Sequence, residues 1–428
     1  MNAEVERIKK KFTLPHLFQS SEYNVWVDFS IVAAQYKPVD LGQGCPNYLP
    51  GAFIVDTLTD VSESMDSAIL HEARGAGHLR LVNALSGLYS RFCNRKIDPE
   101  REVMITCGAY EALYSSIVGN VEVGDEVIII EPFFDCYEPL VQLCGGKIRF
   151  IPLRNTSKNG VFSSSSDWKL DEDELRGLFN EKTKMIILNS PMNPIGKVFN
   201  RKELTFIAEL CIKYNVMVIS DEVYEWLVYE PTQHVRIASL PGMFERTITI
   251  GSSGKAFCVT GWKCGWAYGS AQLIANAQVV HSINTNSYIT PIQEAVALCV
   301  EREIARFDSP ECWFKVLPKD VKPKRDYFIK ALIEAGFKPI CPEGGFFIVA
   351  DWSALESKMD LQNETSEFKD INMAKWMVKN INLLAIPPSV FYSANSKHLG
   401  LNLIRFCFFK TDETLSAAVE CLQKLKNF

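Results

Sequence analysis

TKMIILNSP, residues 183–191, is the stretch that decides the fold. Its apolar run, Met185–Leu188, does not alternate with polar residues, and it stops abruptly at Asn-Ser-Pro. A strand of this kind hides both faces, which implies a mostly parallel sheet covered by helices on both sides. The same grammar repeats in both directions. Upstream, REVMITCG (101–108), DEVIIIEPF (125–133) and GKIRFIPL (146–153) read as strands; downstream, VMVISDEVY and RTITIGSS do. Between them lie helical stretches: YEALYSSIVGNV, YEPLVQLCGG, DEDELRGLFN with Asp171 as a candidate cap, and the amphipathic KELTFIAELCIKYN. Alternating strands and helices predict an α/β unit over roughly 50–310.

The order changes beyond about residue 310. A helix over 324–336, then GGFFIVADW, NMAKWMVKN, IRFCFFK and TLSAAVECLQKL, reads as a smaller α+β domain over 311–428, with a polar loop over 355–371. Residues 1–49 read as an arm with one apolar helical patch near Val25–Ala34 and a solvated basic stretch, KKKF, at Lys9–Phe12. The net charge of −6 leaves no general nucleic-acid footprint. No run approaches the roughly eighteen apolar residues of a membrane span. Thirteen cysteines scattered through apolar segments read as reduced core thiols. A cytoplasmic location is expected, with a mitochondrial presequence the weaker reading because Glu4 and Glu6 interrupt the basic start.

In a sheet of this kind ligand groups gather beyond the strand C-termini. There the strands end in TCG, EPF, NSP, SDE and GSS. The last opens GSSGKAFCVTGWKCGW (251–266), with two lysines and four glycines. Lys255, with no carboxylate beside it in sequence, can form a Schiff base if its surroundings favour the neutral amine; it can also bind phosphate or simply be exposed. Asp221 either holds a protonated ring nitrogen or caps a helix beginning just after it. Asn193, in a Pro-rich turn, can reach a ring hydroxyl or merely shape the turn, and Phe134 can stack on a planar ligand or fill core. Gly108, Ala109 and Tyr110 open a helix whose N–H groups attract an anion, with Ser252, Ser253 and Lys263 able to complete the cradle. Arg405, inside an apolar strand, needs an anion: a substrate carboxylate or an internal acid.

With these residues in place, the chain resembles the fold-type I, class I aminotransferases. More closely it resembles the group of kynurenine aminotransferases, glutamine transaminase K and cysteine-S-conjugate β-lyases, especially the insect members. The motifs that carry the resemblance run in order: VWVDF, LGQGCPN, EPFFDCYEP, NSPMNPIGKV, SDEVYE, GSSGKAF and IRFCFFK. The resemblance implies a large domain with a mainly parallel seven-stranded sheet, a small domain, a homodimer with shared active sites, and pyridoxal 5'-phosphate as cofactor. It implies ping-pong transamination between an L-amino acid and a 2-oxo acid. Residue by residue it assigns Lys255 as the Schiff-base lysine and Asp221 as partner of the ring nitrogen. Tyr224 and Asn193 match the pair at the ring oxygen, and Phe134 the stacked aromatic. Ala109, Tyr110, Ser252 and Lys263 match the phosphate site, and Arg405 the clamp on the substrate carboxylate. Trp26, Gly44, Phe347 and Tyr392 match substrate-pocket positions.

Several positions depart from the group's pattern. In HEARGAG (71–77), Glu72 replaces a tyrosine that reaches the cofactor phosphate from the other subunit, and Ala76 replaces an aromatic. Cys45 stands for phenylalanine, Asn286 and Ser287 for an aromatic and its neighbour in SINTNSYIT, and Glu343 for glutamine. All are expected in the active-site wall or the dimer seam. The expectation is intact cofactor binding with altered substrate choice. The alternatives are a β-lyase, and a catalytically impaired homodimer that still binds the cofactor.

Overall fold

The structure is a computed structural model describing residues 2–15, 24–47, 49–64, 66–157, 163–361, 364 and 366–428. Its centre is a seven-stranded sheet. In chain order the strands are β1 Val103–Cys107, β2 Glu126–Glu131, β3 Lys147–Pro152, β4 Thr183–Asn189, β5 Met217–Asp221, β6 Thr247–Ser252 and β7 Cys264–Gly269. Across the sheet they run β1-β7-β6-β5-β4-β2-β3. The pairs β3–β2, β2–β4, β4–β5 and β5–β6 are parallel, while β7 lies antiparallel to both β6 and β1.

Successive residues of each strand feed opposite cores, which is why these runs show no alternation. Ile128, Ile130, Ile186, Leu188 and Val218 face a cluster completed by helix Arg201–Tyr214. Val127, Ile129, Met185, Ile187 and Ile219 face another, completed by helices Gly108–Val118 and Ala271–Asn284. Asp171 and Asn200 cap the helices that begin after them, their side chains accepting backbone N–H groups of the first turn.

Strand β7, CGWAYG, is absent from the sequence reading, which closes its series at β6. Its glycines disguise it. A Cβ on Gly265 would lie 2.4 Å from the Gly108 carbonyl carbon, and one on Gly269 2.2 Å from the Thr247 oxygen. Close backbone approach dictates glycine at both places, at the expense of strand-like composition.

A second, four-stranded sheet carries the C-terminal part. Phe347–Asp351 runs antiparallel to both Leu403–Cys407 and Lys338–Cys341, and Ser163–Ser164 adds a parallel edge. Its core also takes in Val25, Phe29 and Leu41 from the N-terminal stretch, and Val39–Asp40 pairs with Leu383–Leu384. The apolar patch near Val25 is helix Val25–Tyr36, capped by Asn24. The basic stretch Lys9–Lys11 ends an exposed helix, Asn2–Lys11.

Two sequence readings need revision. The helix placed over 324–336 spans Trp313–Glu334 and runs through Pro318 and Pro323. The loop placed over 355–371 includes a 3-10 turn, Ser353–Lys358, and the start of helix Lys369–Ile381; positions 362, 363 and 365 lie outside the described residues.

Candidate active site

The strand C-termini, the first turn of helix Gly108–Val118 and the edge of the smaller sheet enclose one cleft of about 450 Å³. Strand β5 delivers Asp221 to its floor. No helix starts there: residues 223–226 are turns, so Asp221 caps nothing longer than the Val223 N–H, at 3.3 Å. The Tyr137 hydroxyl donates to its other oxygen at 2.6 Å. Burial nevertheless outweighs these bonds and raises the Asp221 pKa to about 6. A carboxylate in this position gains most from a cation placed beside it.

Just past β6, Lys255 sits in the short helix Ser253–Ala256. Among the described residues its Nζ donates only to the Gly44 carbonyl, at 3.2 Å, and lies over the rings of Phe346 and Tyr224. Burial lowers its pKa, and the neighbouring Arg405 and Lys263 charges push the same way. That is the environment a nucleophilic amine requires.

Arg405 is 1% exposed and has no acidic partner among the described residues. Its two terminal nitrogens donate to the Asn193 side-chain oxygen and the Gly42 carbonyl, each at 3.0 Å, while Nε is buried without a partner. The guanidinium lies 4.0 Å from the Phe347 ring centre and 5.4 Å from that of Trp26. Burial brings its pKa down to about 10. The internal-acid reading therefore fails among the described residues, and the guanidinium charge is uncompensated in the cleft.

At the far end, Ala109 and Tyr110 open the helix next to Ser252 and Lys263. A Cβ on Gly108 would lie 3.7 Å from Lys263 Cε, so the lysine stem runs beside the helix N-terminus. Phe134, after β2, meets the Tyr110 ring edge-on at 5.4 Å. Gly44 makes room for Phe347, since a Cβ there would lie 2.7 Å from that ring. Three cations, one helix N-terminus and one buried carboxylate thus converge on a single cleft lined with aromatic rings.

The family model described as "Aminotransferase class I and II" matches residues 36–422. This chain belongs to that family. It is 46% identical to human kynurenine–oxoglutarate transaminase 3 over 418 residues, 97% of this chain and 91% of that protein. Among solved structures, Bna3p of Saccharomyces cerevisiae matches with a TM-score of 0.89 at 31% identity, covering 97% of this chain and 99% of that one. The N-succinyldiaminopimelate aminotransferase of Mycobacterium tuberculosis matches at 0.85 and 33%, covering 96% and 100%.

In this aminotransferase, thirteen of the fourteen site residues assigned by the resemblance line the one cleft; Ser253, the further cradle candidate, instead donates to the Cys264 carbonyl at 2.8 Å. Tyr392 does not line the cleft. It is buried, and the chain around it is drawn to the end of β2 instead: Phe133 N–H donates to the Phe391 carbonyl at 2.8 Å and Ser393 N–H to Glu131 at 2.6 Å. Glu343 also misses its expected place. It accepts from Thr232 and Val198 in a separate surface cleft with Lys197, away from the active-site wall. Cys45 does line the site.

Sequence reading missed the residues that hold the functional ones. Tyr137 braces Asp221. Asn189 donates to the Asp221 carbonyl at 3.0 Å and accepts from Asn193 N–H at 2.7 Å. Asp135 accepts from the Trp26 indole and, at 3.5 Å, from Tyr110. Asn189 ends a strand in the NSP signal, the same signal that exposes Asn193; Tyr137 reads only as a helix residue.

The segments 71–77 and 285–290 lie outside the cleft and are lashed together. The Thr290 hydroxyl donates to the His71 carbonyl at 2.8 Å and accepts from Ala73 N–H at 3.1 Å. His281 bonds the Gly75 carbonyl at 2.8 Å. Glu72 is exposed, and Asn286 holds a left-handed φ of 62°. Around them Leu70, Leu79, Val279, Ile283 and Ile289 are exposed, Ile283 at 82%.

Proposed function

We propose that this aminotransferase uses pyridoxal 5'-phosphate to move an amino group from an L-amino acid to a 2-oxo acid, with kynurenine and 2-oxoglutarate as the first pair to try. The observation that carries the reading is the placement of Lys255, an amine of lowered pKa, between an acid-free Arg405 and a buried Asp221. The residues fit the cofactor. The helix start, Ser252 and Lys263 suit a phosphate; Asp221, raised by burial, suits a cationic ring nitrogen; Phe134 suits the ring face; Asn193 and Tyr224 suit its oxygen.

When bound, pyridoxal phosphate supplies an electron sink that acidifies the substrate's α-C–H bond. The protein does the rest. Arg405 fixes the carboxylate through its fork. Lys255 Nζ would take the α-proton as general base and, as general acid, deliver it to the carbon that receives the amino group. Asp221 would keep a proton on the ring nitrogen, and Tyr137 and Asn189 hold Asp221 in place. Trp26 and Phe347 stack about the guanidinium and exclude water from the clamp.

The partner we propose is a second copy. The exposed apolar band around Ile283 flanks the segments that carry Glu72 and Asn286, and neither residue reaches the cleft of its own chain. A homodimer buries that band and turns these residues towards the other subunit's site. The same departures favour small or polar donors over kynurenine, because fewer rings remain for stacking. Thirteen cysteines without a disulfide suit a reducing, cytoplasmic setting. A panel of kynurenine, glutamine and an aliphatic amino acid, each with 2-oxoglutarate, tests the reading by product formation. No turnover with any donor would sink it; equal kcat/KM on kynurenine and the aliphatic donor would sink the altered preference.

A further inference from the structure

We propose that Cys107 and Cys264 are a redox-sensitive dithiol that closes to a cross-strand disulfide beneath the phosphate-binding end of the site. The register brings them together. β1 and β7 are antiparallel, and Cys107 lies directly opposite Cys264. The type of pairing comes from the ladder. Gly269 N–H donates to the Glu102 carbonyl at 3.1 Å, which makes that opposed pair hydrogen-bonded. Opposed pairs alternate between the two types, so five steps along, Cys107 and Cys264 form a non-hydrogen-bonded pair. Such pairs hold their Cα atoms about 4.5 Å apart, inside the window of roughly 4.4–6.8 Å that a disulfide spans.

The side chains also share a face. Cys264 belongs to the cluster containing Val103, Ile105, Trp266 and Tyr268, and Cys107 packs against it. Both thiols act on the Tyr288 phenol, whose pKa is raised first by burial and then by them. Their accessibilities differ usefully: Cys107 is half-buried, whereas Cys264 is fully buried and its thiol is pushed up by burial.

A small-molecule disulfide such as glutathione disulfide is the oxidant. The Cys107 thiolate attacks one of its sulfurs, forming a mixed disulfide and releasing one glutathione thiolate. Cys264 sulfur then attacks the Cys107 sulfur, its proton passing to the second departing glutathione. Two protein thiols are oxidised, one glutathione disulfide is reduced to two thiols, and excess thiol reverses both steps.

The consequence comes from where the pair sits. Cys107 immediately precedes Gly108, and Cys264 comes immediately after Lys263. A Cβ on Gly265 would lie 2.4 Å from Gly108, so the two backbones are already in contact. A disulfide needs Cβ atoms about 3.8 Å apart, against about 4.5–5.5 Å for an ordinary opposed pair. Non-hydrogen-bonded pairs sit at the short end of that range, so closing it draws the two Cβ atoms together by roughly 0.7 Å. The helix start and Lys263 shift with them. This second half rests on the phosphate reading of the site; the bridge itself does not.

The test uses the holoenzyme equilibrated over a range of glutathione redox ratios, then digested without reduction and mapped by mass spectrometry. The expected result is a peptide linked through Cys107 and Cys264 that dithiothreitol releases, absent from Cys107→Val and Cys264→Val. Dissociation constants for pyridoxal phosphate should rise about tenfold in bridged wild type and stay unchanged in both oxidised variants. Thirteen unmodified thiols at every ratio, or Cys107 carrying glutathione without closing on Cys264, would overturn the proposal. A bridge with cofactor affinity unchanged within twofold would overturn its coupling to the site. If the reduced protein binds no cofactor at all, the functional reading fails instead, and the peptide map still decides the bridge.

Discussion

The floor of the cleft and its open flank are built by opposite rules. On the floor, strand ends from one chain bring Asp221, Lys255 and Lys263 together, with Tyr137 bracing Asp221 and the Gly44 carbonyl holding Lys255. On the flank, segments 71–77 and 285–290 bond to each other, leave Glu72 exposed, and are bordered by apolar side chains in water. A site finished by its own chain is paired and buried. The flank instead shows exposed apolar surface, the pattern expected of the proposed dimer contact.

The strongest way to break the comparison is to remove the floor's centre. Lys255→Ala should lower kcat/KM by roughly 10⁴-fold. Its melting temperature should change little, because Nζ makes one long bond to Gly44. Loss of less than tenfold would move the chemistry elsewhere. Arg405→Met comes next. Truncating one partner of a buried charge pair costs about 2–5 kcal/mol, so kcat/KM should fall roughly 10²–10³-fold, mostly through KM. Stability should hold or rise, since the substitution removes a buried guanidinium that has no acid beside it. A drop in melting temperature would identify Arg405 as a structural cation.

Asp221 separates binding from stability. Burial raises its pKa from 3.8 to about 6 in the cofactor-free protein. For an acid shifted upward, the stabilising contribution is full below about pH 4 and is lost as pH rises through about 6. Asp221→Asn should therefore make the cofactor-free protein about 2–3 kcal/mol more stable at pH 8, while weakening its hold on the cofactor. Urea unfolding and a cofactor titration read the two signs separately. Equal movement of both in one direction would refute the assignment.

Much of the floor was legible because strand ends announce themselves: an apolar run must stop, and the residues that stop it project into the crevice. Asp221, Asn193 and Lys255 each come after such a stop. Residues acting through others leave no such mark. Tyr137 sits in a helical stretch that would look the same had its hydroxyl no partner. Strand β7 was hidden because glycine serves two purposes, turn and close approach, and composition cannot tell them apart. Glu343 and Tyr392 stay out of the cleft for a further reason: a motif match fixes a position along the chain but not which side of the backbone its side chain takes.

The flank can be sharpened with Ile283→Asp. Exposed at 82%, this side chain costs the monomer nothing when replaced. Burying an isoleucine is worth about 1.5–3 kcal/mol, so the dimer should weaken tenfold or more. Sedimentation should show monomer, and activity should depend on protein concentration. A dilution-independent monomer with full activity would show the floor to be sufficient alone.

One residue joins the two regions and yields the smallest effect. His281 is fully buried, with Nδ1 2.9 Å from Glu111 and Nε2 2.8 Å from the Gly75 carbonyl. Glu111 also accepts from the Ser115 hydroxyl and from Cys107 N–H, at the root of the helix that opens on the cleft. Burial pulls the imidazole pKa down, but the Glu111 bond and charge and the Gly75 carbonyl outweigh it, and the net shift is upward. For a base shifted upward, the stabilisation is full below the ordinary value near 6.5 and is lost as pH rises through the higher folded-state value. Wild type should lose stability between pH 6 and 9 that His281→Gln does not. Urea midpoints across that range measure it. If the two pH profiles run parallel, the cation is not what binds segment 71–77 to helix Gly108–Val118. Floor and flank would then be coupled only by the neutral hydrogen bond to Gly75.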